Sequence, residues 1–463
     1  MKPSTSHSPT SVQDENVQMP HRYNLITALA MIIGICVGSG IFFKSDNILI
    51  ATNGNIILGV IMMVIAATAI IFGGLSLAVY AERCEGSGGI YSYARAYLSP
   101  AAATYIGWHY SFLYLPIMAA VVSWVVGIYT CILFGLSNTL EMQVGIGCIF
   151  LFACTSWNIF APVLAGHFQS LTTVLKMIPL LFVAIVGIFF TPSTAPILVE
   201  HSQQISNAGM GWLMAAGPIA FAFDGWNTGL SITPELKNPK RNVPLSLVIG
   251  PLIILALYLA YFVGISCYLG PQTVMEAGDA SLSLLFTQIF GEKAAVLPNI
   301  IALIAIAGTA NGIILATLRM PLSLALHHEI PFEDKISHIN EKLNFPVVSA
   351  CVASGTAFVW MFIHYVIQHF NLLPNGDLSE IGVIATCFVM PVLYVRLFGL
   401  WKNHEVGLFR GLITPAIATI VSVSVGLSGM SDPSRWPLML IYPFFVLLAI
   451  VVTKKKERQN KVA

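Results

Sequence analysis

Gly217-Pro218-Ile219-Ala220-Phe221-Ala222-Phe223-Asp224-Gly225-Trp226-Asn227 interrupts an apolar run over 211–232. A carboxylate in the middle of a lipid-crossing helix costs about 2.5–3.5 kcal/mol, so Asp224 is expected to face a wet cavity or a partner. A second interruption, Gly34-Ile35-Cys36-Val37-Gly38-Ser39-Gly40-Ile41-Phe42, falls inside the run 24–45. Each Gly inside a helix costs about 1 kcal/mol relative to Ala. Ser39, between Gly38 and Gly40, can satisfy backbone groups that a break would free. A third feature is Lys176, in Leu171-Thr172-Thr173-Val174-Leu175-Lys176-Met177-Ile178-Pro179. It lies too deep to snorkel outward as Lys454 or Arg410 can.

Outward from these breaks the chain reads as hydrocarbon-solvated. Of 463 residues, 56% are hydrophobic and 9% charged, and mean hydropathy is +0.80. A soluble domain carries about 25% charged residues, so 43 charges (22 basic, 21 acidic) cannot clothe this chain in water. A net charge of +1 gives no footprint for nucleic acid.

A helix crosses the bilayer core with about 20 apolar residues. Twelve runs qualify, near 24–45, 55–80, 103–134, 142–162, 169–191, 211–232, 243–269, 296–326, 346–368, 378–400, 411–430 and 435–453; they are numbered here as spans one to twelve. The expected fold class is therefore all-α and polytopic. With the N-terminus inside, eighteen basic residues fall on the inner side and three on the outer (Lys44, Lys293 and Arg435), Lys176 being intramembrane. That asymmetry orients the chain with both termini cytoplasmic, in a cell membrane. Residues 1–20 read as a disordered tail and 454–463 as a basic one. Of eight cysteines, none pairs with another on outer loops, and they read as small apolar fillers.

The breaks fall in spans one and six, equivalent positions if 24–191 and 211–400 are two five-helix repeats, with 411–453 as two extra helices. Five is odd, so the repeats must be inverted. Paired breaks in inverted repeats point to a transporter's midplane site. The second half of span one exposes N–H groups with positive dipole near Ser39, Gly40 and Ile41, suited to a carboxylate. Carbonyls from Phe221 to Asp224 suit an ammonium. Phe221, Phe223 and Trp226 offer an aromatic lid.

The strings VGSGIF at 37–42, GSGGIYSYARAYLSP at 86–100, LTTVLKMIP at 171–179 and FAFDGWNTGLSITPELKNPKRNVP at 221–244 resemble the L-type amino acid transporter family of the amino acid–polyamine–organocation superfamily. The resemblance covers nearly the whole chain. It implies a LeuT-type 5+5 inverted repeat with two added helices, and sodium-independent exchange of amino acids. It implies that Val37, Gly38, Ser39 and Gly40 hold the substrate carboxylate. The carbonyls of Cys36, Phe221 and Asp224 would hold the ammonium, and the Phe221 ring would gate the site. Asn227 would support the span-six break, and Lys176 would replace the sodium ion of related symporters. Tyr258 and Asn311 are nominated by span position. The loop Phe134 to Glu141, FGLSNTLE, has no cysteine, so no disulfide-linked heavy subunit is expected. The chain is similar to bacterial members, such as alanine-serine-cysteine or serine-threonine exchangers, that work alone.

An enzyme is disfavoured. His327-His328-Glu329 is the one dense His/acid cluster, and its spacing does not put two His on one helical face for zinc. No metal or cofactor is expected. The compact residues Cys36 and Val37, with bulky Phe221, favour Ala, Ser, Cys or Thr as substrates. Proton-coupled symport through Asp224 is the alternative to exchange.

Overall fold

The computed structural model describes residues 23–38, 41, 45–84, 89–191, 219, 222–343, 345–373, 377–430, 433–445, 447–448 and 451. Among them nine helices are long and apolar enough to cross a membrane: Ile56–Ala81, Pro100–Phe134, Leu140–Phe160, Pro162–Phe189, Pro239–Leu269, Glu292–Leu326, Val347–His369, Leu378–Lys402 and Phe409–Gly429. These carry spans two to five and seven to eleven. Spans one and twelve are represented by shorter apolar helices, Leu25–Cys36 and Trp436–Phe445. No strand ladder occurs among the described residues, only two isolated bridges. The chain is an all-helical, multi-pass membrane protein.

Several helices begin where caps dictate. Asn24, Asn55, Ser99 and Thr139 each accept a backbone N–H three residues on, at the starts of spans one to four. Span five starts at Pro162, seven residues before its expected limit of 169. His167 and Gln169 lower the local hydropathy there, while Pro at the first turn needs no N–H partner. Short helices that hydropathy does not reveal lie outside the long spans: Ser45–Ala51, Ile90–Tyr97, Pro271–Ala277 and Ser281–Phe290.

Span seven packs on spans two and five, and span one is wedged among spans five, six, seven and eight. Close approach requires small residues. A Cβ on Gly187 of span five would stand 1.9 Å from the Gly264 carbonyl oxygen of span seven. Lipid is as apolar as Leu, so such backbone contacts do what the hydrophobic effect does in water. Span eight is the most buried of the nine and span four the least. Span four turns Ile149 and Phe152 outward, and span nine turns Phe362 outward, as lipid-facing sides require.

Candidate functional site

Span one's helix ends at Cys36, and the Gly38 N–H turns back to the Cys36 carbonyl at 2.8 Å. Residues 222–225 of span six form turns, then Trp226–Glu235 continues as a 3-10 helix. Gly225 sits at the corner with φ +90°, a conformation costly for any residue with a Cβ. The breaks meet. The Cys36 thiol points at the Phe223 carbonyl (3.7 Å), and the Tyr258 hydroxyl lies 2.7 Å from the Cys36 carbonyl and 3.0 Å from that of Ala222. One hydroxyl proton thus serves two carbonyls, one in each break. Tyr258→Phe is expected to slow transport about fivefold without loss of membrane insertion, since a net hydrogen bond is worth about 1 kcal/mol. Uptake by purified protein in liposomes measures this; parental rates would remove Tyr258 from the coupling.

Behind span one, Lys176 is fully buried and its ammonium donates to the Gly34 carbonyl and, at 3.2 Å, to the Thr309 hydroxyl. Thr309 in turn lies 3.1 Å from the Gly34 carbonyl and 3.5 Å from that of Val37. Thr173 donates to the Ala30 carbonyl at 3.0 Å. No carboxylate pairs with Lys176 among the described residues. Carbonyl and hydroxyl oxygens alone solvate it, as they would a metal ion.

In front of the breaks lies a cavity lined by Ile35, Cys36, Gly38, Asp224, Gly225 and Thr228 on spans one and six. Tyr114, Met118 and Val122 of span three and Ile306, Thr309 and Ile313 of span eight close it. Asp224 is half-buried, accepts the Tyr114 hydroxyl at 2.6 Å, and has no cation paired with it among the described residues. Asn227 donates to the Tyr110 hydroxyl at 2.9 Å. Both tyrosines belong to a π-helical segment, His109–Tyr114, inside span three. Such bulges re-aim side chains and gather at functional sites.

The bundle is tied shut at the end where span one begins. The Lys237 N–H donates to the Tyr23 carbonyl at 2.8 Å, and Arg95 pairs with Glu329 at 2.5 Å. Trp108 donates to the Glu329 carbonyl at 3.1 Å, and Arg396 donates to that of Tyr97 at 2.8 Å. Burial, with the Glu329 carboxylate beside it, holds the Tyr91 pKa well above its ordinary value. Counted along spans three and eight, Val122 and Ile306 lie beyond Tyr114 and Ile313 from this end. The cavity therefore extends away from the tied end.

Of the residues expected from the sequence, Cys36, Val37, Gly38, Asp224, Asn227, Tyr258 and Lys176 come together at or directly behind the breaks. Ser39, Gly40 and Phe221 lie outside the described residues. The Cys36 carbonyl already accepts two hydrogen bonds, from Gly38 and Tyr258. Asn311 is drawn into helix packing: it accepts from Asn158 at 3.0 Å and donates to Gln169 at 3.2 Å, between spans four, five and eight. Sequence reasoning missed Tyr110, Tyr114 and Thr309. The signal for the first two is His109-Tyr110-Ser111, a polar run inside span three; for the third it is Gly308-Thr309-Ala310, a small-residue run in span eight.

Comparison with known proteins matches a model of the family described as amino acid permease to residues 23–462. The serine/threonine exchanger SteT of Bacillus subtilis is 26% identical over 430 residues, covering 88% of this chain and 94% of that protein. The b(0,+)-type amino acid transporter 1 of Homo sapiens is 25% identical over 467 residues, covering 96% and 85%. The Asc-type amino acid transporter 1 of Mus musculus is 24% identical over 412 residues, covering 82% and 73%.

Proposed function

The chain belongs to the amino acid permease family, and from that premise we propose that it is a sodium-independent exchanger of small neutral L-amino acids such as Ala, Ser, Cys or Thr. The observation that carries this reading is the Lys176 ammonium on the Gly34 carbonyl behind the span-one break. A tethered cation stands where a transported one would otherwise hold that break. The relative named as an exchanger, SteT, supports the same direction.

On this reading the fold is the twelve-helix, 5+5 inverted repeat, with 24–191 and 211–400 as repeats, 411–453 as added helices and both termini in the cytoplasm of the cell. The tied end is then the cytoplasmic one. The backbone of Val37, Gly38, Ser39 and Gly40 receives the substrate carboxylate. Carbonyls of Phe221 and Asp224, with that of Cys36 when Tyr258 swings to Ala222, receive the ammonium. Phe221 closes over the substrate, and Asn227 and Asn311 hold the moving helices in register. The chain works without a disulfide-linked heavy subunit.

Proton-coupled symport has one observation in its favour, the half-buried Asp224 carboxylate with a tyrosine and, among the described residues, no cation beside it. Proteoliposomes separate the two. Exchange predicts labelled serine uptake only when the lumen holds an unlabelled substrate amino acid, whatever the sodium gradient. Uptake into empty vesicles, driven by an imposed proton gradient, would replace exchange with symport.

A further inference from the structure

Thr228 lines the substrate cavity, is 4% exposed, and its hydroxyl has no hydrogen-bond partner among the described residues. Among the described side chains lining that cavity, it is the one with a buried polar atom left unpartnered. Elsewhere in this protein Thr104, Thr130, Thr287, Thr317 and Thr386 give their proton to the carbonyl four residues back, and Thr233 of the same 3-10 helix gives its proton to the Leu230 carbonyl three back. Thr228 does not. Four residues back is Asp224, on the far side of the Gly225 corner at φ +90°, and the Gly225 carbonyl is taken by the Thr228 N–H at 3.0 Å. Beside the break that opens the site, Thr228 makes neither of these bonds.

A buried hydroxyl without a partner destabilises the empty protein. From spans three and eight the cavity receives apolar Met118, Val122, Ile306 and Ile313, together with the Tyr114 and Thr309 hydroxyls, which already donate to Asp224 and to the Gly34 carbonyl. We propose that Thr228 is a specificity-determining residue whose hydroxyl binds the side-chain hydroxyl of the substrate, so that the site favours hydroxy amino acids over aliphatic ones of equal size. This rests on the amino acid exchange reading and goes further by naming the substrate class. A hydroxyl both donates and accepts, so Thr228 can serve serine or threonine in either sense, whereas a thiol is a weak partner. Sites built to hydrogen-bond a substrate group discriminate strongly against analogues lacking it, because the site's own group is then left unpaired.

The test compares L-serine with L-2-aminobutyrate, which replaces the hydroxyl by a methyl group at nearly constant shape. Each competes for exchange of labelled L-alanine by purified protein in liposomes, and the ratio of their half-inhibiting concentrations is read within each variant. The parental protein should prefer serine. Thr228→Val should shift the ratio about tenfold toward 2-aminobutyrate, the factor that corresponds to about 1.4 kcal/mol. Thr228→Ser should keep the parental ratio. In the absence of substrate, Thr228→Val should melt no lower than the parent, because it removes an unpartnered hydroxyl. If the valine variant does not fold, Thr228→Ala supplies the same comparison. An unchanged ratio on removing the hydroxyl would overturn the proposal, as would an equal shift in Thr228→Ser. Parental protein that exchanges no labelled alanine under any condition would instead bring down the exchange reading, and this proposal with it.

Discussion

Lys176→Ala is expected to insert and fold yet exchange at least a hundred times more slowly. The ammonium makes two charge-assisted hydrogen bonds, to the Gly34 carbonyl and the Thr309 hydroxyl. Bonds to charged groups are worth about 1.5–3 kcal/mol each, and tenfold in a population is 1.4 kcal/mol. Removal strands no opposite charge, since no carboxylate pairs with Lys176 among the described residues, so folding should survive. What is lost is the hold on span one in one conformational state. The defect should therefore fall on the rate of the return step more than on equilibrium affinity, and unequally at the two membrane faces. Rates of labelled serine exchange from both sides of oriented vesicles measure it. Parental rates from both faces would dismiss the tether; activity restored by sodium would identify the lysine as a fixed substitute for the ion.

Gly225→Ala should be nearly as damaging, for a steric reason. A Cβ there would lie 2.6 Å from Ile35 Cγ2, driving span six off span one, on a backbone at φ +90°. Left-handed backbone costs a residue with a Cβ about 1–2 kcal/mol, and overpacking adds about 1–3 kcal/mol. Transport should fall by more than tenfold and the melting temperature should drop. Adding Ile35→Ala removes the clash but not the backbone strain, so the double variant should recover part of the stability. A double-mutant cycle reads that coupling directly. Additive effects would show that the two breaks do not press on each other at this point.

Much of this was legible because lipid punishes irregularity. Glycines at 34, 38 and 40, Pro218 beside Asp224, and Lys176 are expensive in hydrocarbon, so each advertised a functional depth along its span. Depth is not azimuth. Hydropathy tells how far along span three Tyr114 lies but not which neighbour it faces. The π-helical segment that rotates Tyr110 toward Asn227 and Tyr114 toward Asp224 has no compositional mark beyond a few polar atoms. Asn311 illustrates the converse. An amide inside a span signals a hydrogen bond, and here that bond serves packing with Asn158 and Gln169 rather than the cavity. The Thr309 hydroxyl was unreadable for a third reason, since its partners are main-chain carbonyls of another span, and carbonyls carry no sequence.

A positive charge fixed to a side chain has a thermodynamic consequence for the cell on the exchange reading. A cation that enters with its cargo brings the free energy of its own gradient, whereas the one on Lys176 never leaves the protein. Accumulation of one amino acid can then be driven only by the outward gradient of another. A tenfold counter-gradient supplies about 1.4 kcal/mol and supports at most a tenfold accumulation. The total pool of these amino acids would stay constant while its composition changed, with neither osmotic load nor membrane current from neutral cargo.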